Sequence, residues 1–185
     1  MRITRVKLNK PSKDTHEWRP YKAIWEKYAL EVLPMKAIYH DFELAIDPFA
    51  RNCDWAYPYT NDLNIDTLAK NHLDAEAYLE MVRDYATSRF GIALLDPPFS
   101  DRMSKDKYGT SNLYSSDSGK MTRIQKLAGD LVLPGGYIVK AGYNSSRPHP
   151  CFDLVEMRVV CLGAIQNDVI FTVWRKMQHT LKEVV

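Results

Sequence analysis

The spacing of apolar residues predicts a long amphipathic helix near the start of the chain. Between Trp18 and about Leu33, apolar and aromatic residues recur at steps of one to four positions along one face. These positions are Tyr21, Ile24, Trp25, Tyr28 and Val32. We expect their side chains to belong to the core rather than to the wall of a cofactor site.

The apolar runs that follow are shorter and strand-like, with two helical segments, 72–87 and 121–131, placed between them as crossovers of βαβ units. The strand-like runs are 42–47, 56–62, 91–96, 136–142, 152–162 and 168–174. The last two are separated only by 163–167, which is too short for a parallel crossover, so they should form an antiparallel hairpin. The pattern predicts an α/β fold whose sheet is mostly parallel and ends in a C-terminal antiparallel hairpin.

Length and composition place this pattern in one domain. The chain has 185 residues, of which 45% are hydrophobic and 26% charged, a balance that excludes disorder as a description of the whole. We expect a single domain over 1–185, with an N-terminal arm and helix in 1–35 and a core in 38–176. No apolar run approaches a membrane span and the first residues lack a signal-peptide core, so we expect a cytoplasmic protein without a membrane partner.

The cysteines and histidines give no indication of a metal site or a disulfide framework. Three cysteines are scattered without CxxC spacing, and the five histidines share no spacing that would place two ligands on one face. We therefore expect reduced cysteines and no bound metal.

The net charge of +2 does not decide whether the partner is a polyanion, but the first thirteen residues carry five positive charges and only basic charged groups. These charges belong to Arg2, Arg5, Lys7, Lys10 and Lys13. Two interpretations stay open: the segment contacts phosphate oxygens of a nucleic acid, or it is an edge strand protected by its basic residues.

Three of the strand-like runs end at an aspartate: Asp47, Asp62 and Asp96. In open α/β sheets, ligands bind at the carboxyl ends of the parallel strands, so these carboxylates should gather along one edge. A single aspartate in such a position often caps a helix or stabilises a turn. Three together favour a binding site.

The segment Asp96-Pro97-Pro98-Phe99 carries the clearest chemistry. Two consecutive prolines restrict the backbone, so the Asp96 carboxylate and the Pro97 carbonyl can present fixed acceptors to an amino group, while Phe99 stacks on a flat ring. Such a group of residues suits the orientation of an exocyclic amine toward an electrophile.

With these motifs the chain resembles the DPPY/F-type S-adenosylmethionine-dependent amino methyltransferases that act on DNA adenine, and most of all their short stand-alone members from phages and mobile elements. The resemblance spans about residues 38–176 and includes DPFA at 47–50, TNDLN at 60–64, DPPF at 96–99 and LPGGYI at 133–138. It implies a single Rossmann-like methyltransferase domain and S-adenosylmethionine as cofactor. The implied catalytic residues are Asp96, Pro97, Pro98 and Phe99, and the implied cofactor-binding residues are Asp47, Pro48, Phe49, Ala50, Asn52, Asp62, Leu63, Asp74 and Ala75.

Two differences from the family pattern keep other functions open. Arg51-Asn52 stand where the family has glycines, and the eight residues from Phe49 to Ala56 are too few for a crossover helix. We therefore expect that helix to be missing or reduced to a turn. The alternatives are a catalytically degenerate domain that serves as a DNA-binding or interaction subunit, and a methyltransferase acting on RNA, a nucleotide or a protein amide.

The segment 100–120 is long, polar and aromatic and directly follows the DPPF motif. We expect a functional loop in which Arg102, Lys105, Lys107 and Tyr108 contact nucleic acid, although its aspartates dilute the charge and simple flexibility is the alternative. No insertion is large enough for a target-recognition domain. Target reading would then fall to loops, to a second copy in a homodimer, or to a separate subunit.

Overall fold

A six-stranded sheet forms the centre of the computed structural model, which describes residues 1–8, 14–98, 101–108, 119–143, 145, 148, 150–162 and 168–177; within 101–108, the side chains described are those of 102 and 104–106. The order of the strands across the sheet is β1-β5-β6-β4-β3-β2. The strands are β1 (Arg2–Lys7), β2 (Phe42–Ile46), β3 (Arg89–Leu95), β4 (Val132–Gly142), β5 (Phe152–Cys161) and β6 (Val169–Lys176).

The predicted α/β architecture with a closing hairpin is confirmed. Strands β2, β3 and β4 pair in parallel, and β6 runs antiparallel to both β4 and β5. Strand β6 therefore lies between β4 and β5. The carboxyl ends of β2 and β3 meet at one edge of the sheet, which is where their following residues, Asp47 and Asp96, are placed.

Helices cover both faces of the sheet and form two separate apolar layers. Successive residues of a strand point to opposite faces, so Ile92 and Leu94 of β3 pack with α1 while Ala93 and Leu95 pack with α2 and α4. The predicted core face of α1 is confirmed at four positions, since Tyr21, Ile24, Tyr28 and Val32 are buried. The fifth, Trp25, is partly buried and packs against the same core. The helices are α1 (Arg19–Val32), α2 (Ala75–Tyr85), α3 (Asp101–Tyr108) and α4 (Lys120–Leu131).

The run 56–62 was predicted as a strand and is reduced to isolated bridges, which is a correction. Thr60 bridges to Asp47 and Asn61 to Asn71, both in parallel. The chain from Asp47 to Asp74 is otherwise built of turns and irregular segments, and no helix occurs in it, as its short crossover predicts. Backbone groups of this region are paired by scattered backbone hydrogen bonds, such as Asn61 N to the Asp47 carbonyl at 2.8 Å, and by side chains such as that of Asn61.

Two further expectations concern the segment 100–120 and the basic N-terminal residues. The predicted loop 100–120 is wrong in part, because residues Asp101–Tyr108 form helix α3; residues 109–118 lie outside the described part. The basic N-terminal segment contains an edge strand, β1, paired in parallel with β5, and its Arg2, Arg5 and Lys7 are exposed. Lys10 and Lys13 lie outside the described residues, and contact with phosphates stays a prediction.

No helix within the described residues combines the length and apolar character that crossing a membrane requires.

Candidate active site

The three strand-end aspartates come together at the carboxyl edge of the sheet. Asp47 follows β2 directly, Asp96 follows β3, and Asp62 follows the bridging residues Thr60 and Asn61. Thr60, two residues before Asp62, bridges to Asp47, and β2 and β3 pair in parallel as neighbours, so the three carboxylates follow adjacent segments of the chain. The edge is therefore a shared acidic site rather than three separate turns.

The turn after β2 keeps its shape without a glycine. Arg51 takes the left-handed conformation, with φ of 52°, in the segment where the family pattern has glycines. The Phe49 amide donates to Asp47 Oδ1 at 2.9 Å and the Ala50 amide donates to the Asn61 carbonyl at 2.8 Å. Pro48, Phe49 and Ala50 are buried, so this turn is a fixed wall of the site.

Asn61 holds the site together, and its role was not predicted from the sequence. Its side chain is fully buried; Nδ2 donates to the carbonyls of Pro48 at 3.2 Å and Leu73 at 3.0 Å, and Oδ1 accepts from the Leu73 amide at 2.9 Å. The turn after β2 is thereby tied to the segment that leads into α2. The only signal in the sequence is its place beside Asp62 in the TNDLN motif.

Asp62 is buried and oriented by backbone donors. Its oxygens accept from the amides of Asn64 at 2.9 Å and Arg51 at 3.2 Å. Burial raises its pKa, and these two hydrogen bonds offset part of that effect. Of the other predicted cofactor-binding residues, Leu63 is partly exposed, and Asn52 uses Oδ1 to accept from the Leu68 amide at 3.0 Å, which stabilises the loop.

Asp74 and Ala75 lie at the start of α2, where the structure shows structural contacts. Asp74 is the N-cap residue and accepts from the Glu76 amide at 3.0 Å, while its other oxygen pairs with Lys120 Nζ at 2.6 Å. Ala75 is buried in the core. The pair with Lys120 joins the starts of α2 and α4 at the same edge as the acidic site. A contact of either residue with a cofactor stays a prediction.

The proline pair stands at the end of β3 as the sequence predicts. Asp96 is partly exposed, and Pro97 and Pro98 are buried. A buried pair of prolines directly after the partly exposed carboxylate fits a backbone that holds its acceptors in place. Phe99 lies outside the described residues, so its stacking role stays a prediction.

His16 is a second residue of this edge that was not predicted from the sequence. It sits in a 3-10 helix over Thr15–Glu17, is 4% exposed, and reaches Asp47 Oδ2 through Nε2 and Asp14 Oδ1 through Nδ1, each at 3.1 Å. Burial lowers the pKa of His16, but the hydrogen bonds to Asp14 and Asp47 and the charge of Asp96 outweigh it and raise the pKa to about 10. An imidazolium from the N-terminal segment thus partly neutralises the acidic edge. His16 and Asp47 are 31 positions apart in the sequence, so no local motif predicts their contact.

Helix α3 begins three residues after Pro98 and carries the predicted nucleic-acid contacts. Arg102 and Lys105 are exposed, and Arg102 Nε lies 3.8 Å from Asp106 one turn later. The side chains of Lys107 and Tyr108 lie outside the described part. The exposed basic groups are consistent with contact to phosphates, which stays a prediction.

Comparison with solved structures identifies the architecture. An rRNA methylase from Streptococcus thermophilus superposes with a TM-score of 0.54 over 88% of this chain and 99% of its own, at 12% identity. The domain has a methyltransferase fold. The acidic edge is thus at the carboxyl ends of parallel strands, where open α/β sheets bind their ligands.

Other solved structures match less well. An N-methyltransferase, NodS, from Bradyrhizobium japonicum in complex with S-adenosyl-L-homocysteine gives a TM-score of 0.45 over 90% of this chain and 94% of its own, at 10% identity. TrmN from Thermus thermophilus gives 0.46 over 83% and 52%, at 15% identity. No protein-family model matches the sequence, and a comparison with curated proteins finds no match.

Proposed function

We propose that this protein is an S-adenosylmethionine-dependent methyltransferase that methylates an exocyclic amine, with the 6-amino group of adenine in DNA as its acceptor. The observation that carries the proposal is the convergence of Asp47, Asp62 and Asp96 at the carboxyl edge of a methyltransferase fold, with the buried Pro97-Pro98 pair directly after Asp96.

The donors and acceptors at this edge fit the polar groups of the cofactor. A carboxylate offers about four lone-pair positions, and the Phe49 amide and His16 use two of those on Asp47. The remaining acceptor capacity of Asp47 suits the ammonium group of the cofactor, and the Asp62 carboxylate suits ribose hydroxyls. The left-handed Arg51 supports this fit, because it preserves the turn between the two carboxylates.

The end of β3 suits the acceptor amine. Asp96 Oδ and the Pro97 carbonyl would each accept one N–H of the amino group, which turns the nitrogen lone pair away from both. When bound, the cofactor supplies a methyl group already activated by its positively charged sulfur. The protein therefore contributes orientation and charge, and no strong base is needed before attack.

Adenine in DNA is the favoured acceptor for two reasons: the DPPF and DPFA motifs resemble those of DNA adenine methyltransferases, and α3 presents exposed Arg102 and Lys105 next to the proposed acceptor site. The structurally similar rRNA methylase makes RNA the acceptor to be tested against it.

Binding and chemistry are tested separately. Calorimetry with S-adenosylmethionine should give saturable heat with the native protein and with Asp96→Ala, and at least tenfold weaker binding with Asp47→Asn, whose neutral amide no longer attracts an ammonium group. Absence of binding at millimolar cofactor would indicate the degenerate domain that acts as a binding subunit.

Methyl transfer is then measured on duplex DNA, single-stranded DNA and RNA by mass spectrometry of the digested nucleosides. The native protein should form N6-methyladenine in DNA, and Asp96→Ala should reduce the rate at least a hundredfold with cofactor affinity unchanged. If methylated nucleosides appear only in RNA, the acceptor is RNA and not DNA. If Asp96→Ala transfers methyl groups at the native rate, Asp96 has no part in the reaction.

A further inference from the structure

The buried group formed by His16, Asp47 and Cys53 has a composition that amine methylation does not explain. One ligand-type atom from each residue, an imidazole nitrogen, a carboxylate oxygen and a thiol sulfur, lies within 4.8 Å of the other two. The three residues come from different parts of the chain: the N-terminal 3-10 helix, the end of β2, and the turn that follows it. Cofactor binding needs the carboxylate of Asp47 but gives no role to the thiol.

The spacing suits a small divalent ion. Zinc binds nitrogen and oxygen ligands at about 2.0–2.2 Å, so two such ligands in a tetrahedral site stand about 3.4 Å apart. His16 Nε2 and Asp47 Oδ2 are 3.1 Å apart. A small outward movement of the imidazole would accommodate an ion between them, with Cys53 Sγ as the third ligand.

A second carboxylate holds the His16 imidazole on the side away from Asp47. Its other nitrogen, Nδ1, lies 3.1 Å from Asp14 Oδ1. A carboxylate in this position is the usual partner of a zinc-bound histidine, since it fixes the ring orientation and strengthens the ligand. Asp14 is the N-cap of the short helix that carries His16, so local structure holds both residues in register.

Tyr21 supplies an independent observation. Its side chain is fully buried, its hydroxyl makes no hydrogen bond with any residue that the structure describes, and its ring centroid lies 5.4 Å from that of His16. Its ring centroid also lies 5.7 Å from that of Trp55, which lines the same cleft as His16 and Cys53. A buried hydroxyl without a partner is costly, and a ligand or its bound water would satisfy it.

A route to the cluster exists. A cleft of about 390 Å³ is lined by Asp14, His16, Cys53 and Trp55, among others. An ion could enter from this side, and a water molecule could complete the coordination from the same side.

We propose that His16 Nε2, Asp47 Oδ2 and Cys53 Sγ form a Zn²⁺ site with one coordination position open, supported by Asp14 behind the imidazole. Binding replaces the proton on His16 Nε2 and the proton on the Cys53 thiol, and both leave to solvent. Since Asp47 is also the proposed contact of the cofactor ammonium, bound Zn²⁺ and cofactor compete for it.

The site is tested on the full chain, treated with EDTA and without cofactor, using Co²⁺ as a spectroscopic probe. One equivalent of Co²⁺ should produce the near-ultraviolet band of thiolate coordination and the visible bands of a tetrahedral ion, and Zn²⁺ should remove both. Asp14→Asn should weaken binding by about ten- to a hundredfold, the usual effect of losing such a support.

Cys53→Ser should lose the thiolate band, and Cys161→Ser is the matched control that should keep it; thermal melts establish that both variants fold. The proposal is overturned if the native protein shows no thiolate band, or if Cys53→Ser retains it. Because the readout is absorption of the cofactor-free protein, its failure leaves the methyltransferase proposal intact, and absence of methyl transfer leaves the metal result intact.

Discussion

At the scale of single residues, the site depends on a backbone conformation that its sequence does not favour. Arg51 occupies the left-handed region, which costs a residue with a Cβ about 1–2 kcal/mol. The surrounding hydrogen bonds hold it there, because its amide donates to Asp62 and the neighbouring Ala50 amide donates to Asn61. The Arg51 guanidinium also lies 3.7 Å from Asp14 Oδ2, and this ion pair offsets part of the cost of the left-handed conformation.

The strain at Arg51 can be measured with two variants that both remove the guanidinium. Arg51→Gly relieves the left-handed conformation and Arg51→Ala does not, so we expect the glycine variant to be more stable by about 1 kcal/mol in urea unfolding. Equal stabilities would indicate that the turn is not strained at this position.

Asn61 should be among the most sensitive polar residues of the chain. Asn61→Ala removes three hydrogen bonds of a buried side chain, one of them fully buried, and leaves the Pro48 and Leu73 groups without them, so we expect a loss of about 2–4 kcal/mol in the free energy of unfolding. Asn64→Ala is the control, because its side chain accepts one exposed bond from Asp66 and should cost about 1 kcal/mol or less. Similar losses in both variants would contradict the role assigned to Asn61.

The sequence predicted the aspartates of the site but not the residues that organise them. Asp47 and Asp96 end apolar runs, a pattern visible along the chain, and their placement at one edge follows from the parallel sheet. His16 and Asn61 act through contacts between segments that are distant in the sequence, and the spacing of residues does not reveal such contacts. The expectation of no bound metal was based on spacing along the sequence, which does not register that His16, Asp47 and Cys53 lie close together in the fold.

At the scale of elements, two helices are joined beside the site. Lys120 pairs with Asp74, and the Arg123 guanidinium binds Glu76 through Nε at 2.5 Å and a second nitrogen at 3.1 Å. These pairs fix the start of α4 to the start of α2. Hydrophobic periodicity predicted both helices. It could not predict how the two helices are placed relative to each other, because that placement depends on ion pairs between distant residues.

Asp74 combines a cap and an ion pair, and two variants separate them. Asp74→Asn keeps a side-chain acceptor at the N-cap and loses the charge that faces Lys120, whereas Asp74→Ala loses both. We expect the alanine variant to be less stable than the asparagine variant by about 1 kcal/mol, measured by thermal unfolding. If asparagine proves as destabilising as alanine, the ion pair and not the cap accounts for the role of Asp74.

Two segments have a secondary structure that their amino-acid composition did not predict. The run 56–62 has the aromatic content of a strand but is bent by turns and contributes only bridges at Thr60 and Asn61. Helix α3 lies in a segment rich in charge and poor in apolar residues, so no hydrophobic periodicity marks it.

At the scale of the whole molecule, α1 is fastened to the far half of the sheet by one buried carboxylate. Glu156 of β5 is fully buried, and its Oε2 accepts from Lys27 Nζ at 2.9 Å and the Tyr28 hydroxyl at 3.0 Å, both on α1. Arg158 donates to its Oε1 at 2.7 Å and to the Pro20 carbonyl at 2.9 Å. The contact spans more than 120 residues of sequence and could not be predicted from local pattern.

The hydrogen bonds of Glu156 should make the stability of the folded protein depend on pH. Burial raises the pKa of Glu156, but its hydrogen bonds to Lys27, Arg158 and Tyr28 outweigh that effect and the net pKa is lowered. The folded state therefore holds the carboxylate charged where the unfolded chain is already protonated, so its stabilising contribution is full above the ordinary glutamate pKa of 4.5 and is lost as the pH falls through the lower folded value.

Glu156→Gln removes this contribution and leaves the cations of Lys27 and Arg158 beside a neutral amide. We expect a loss of about 3 kcal/mol at pH 7, within the range for breaking a buried pair, and a smaller difference from the native protein as the pH falls below 4.5. Urea unfolding at several pH values measures both effects, with the exposed Glu26→Gln as the control that should change stability little at any pH. A difference that stays constant from pH 7 into the acid range would mean that the charge of Glu156 does not fasten α1, and that shape and apolar packing alone hold the helix on the sheet.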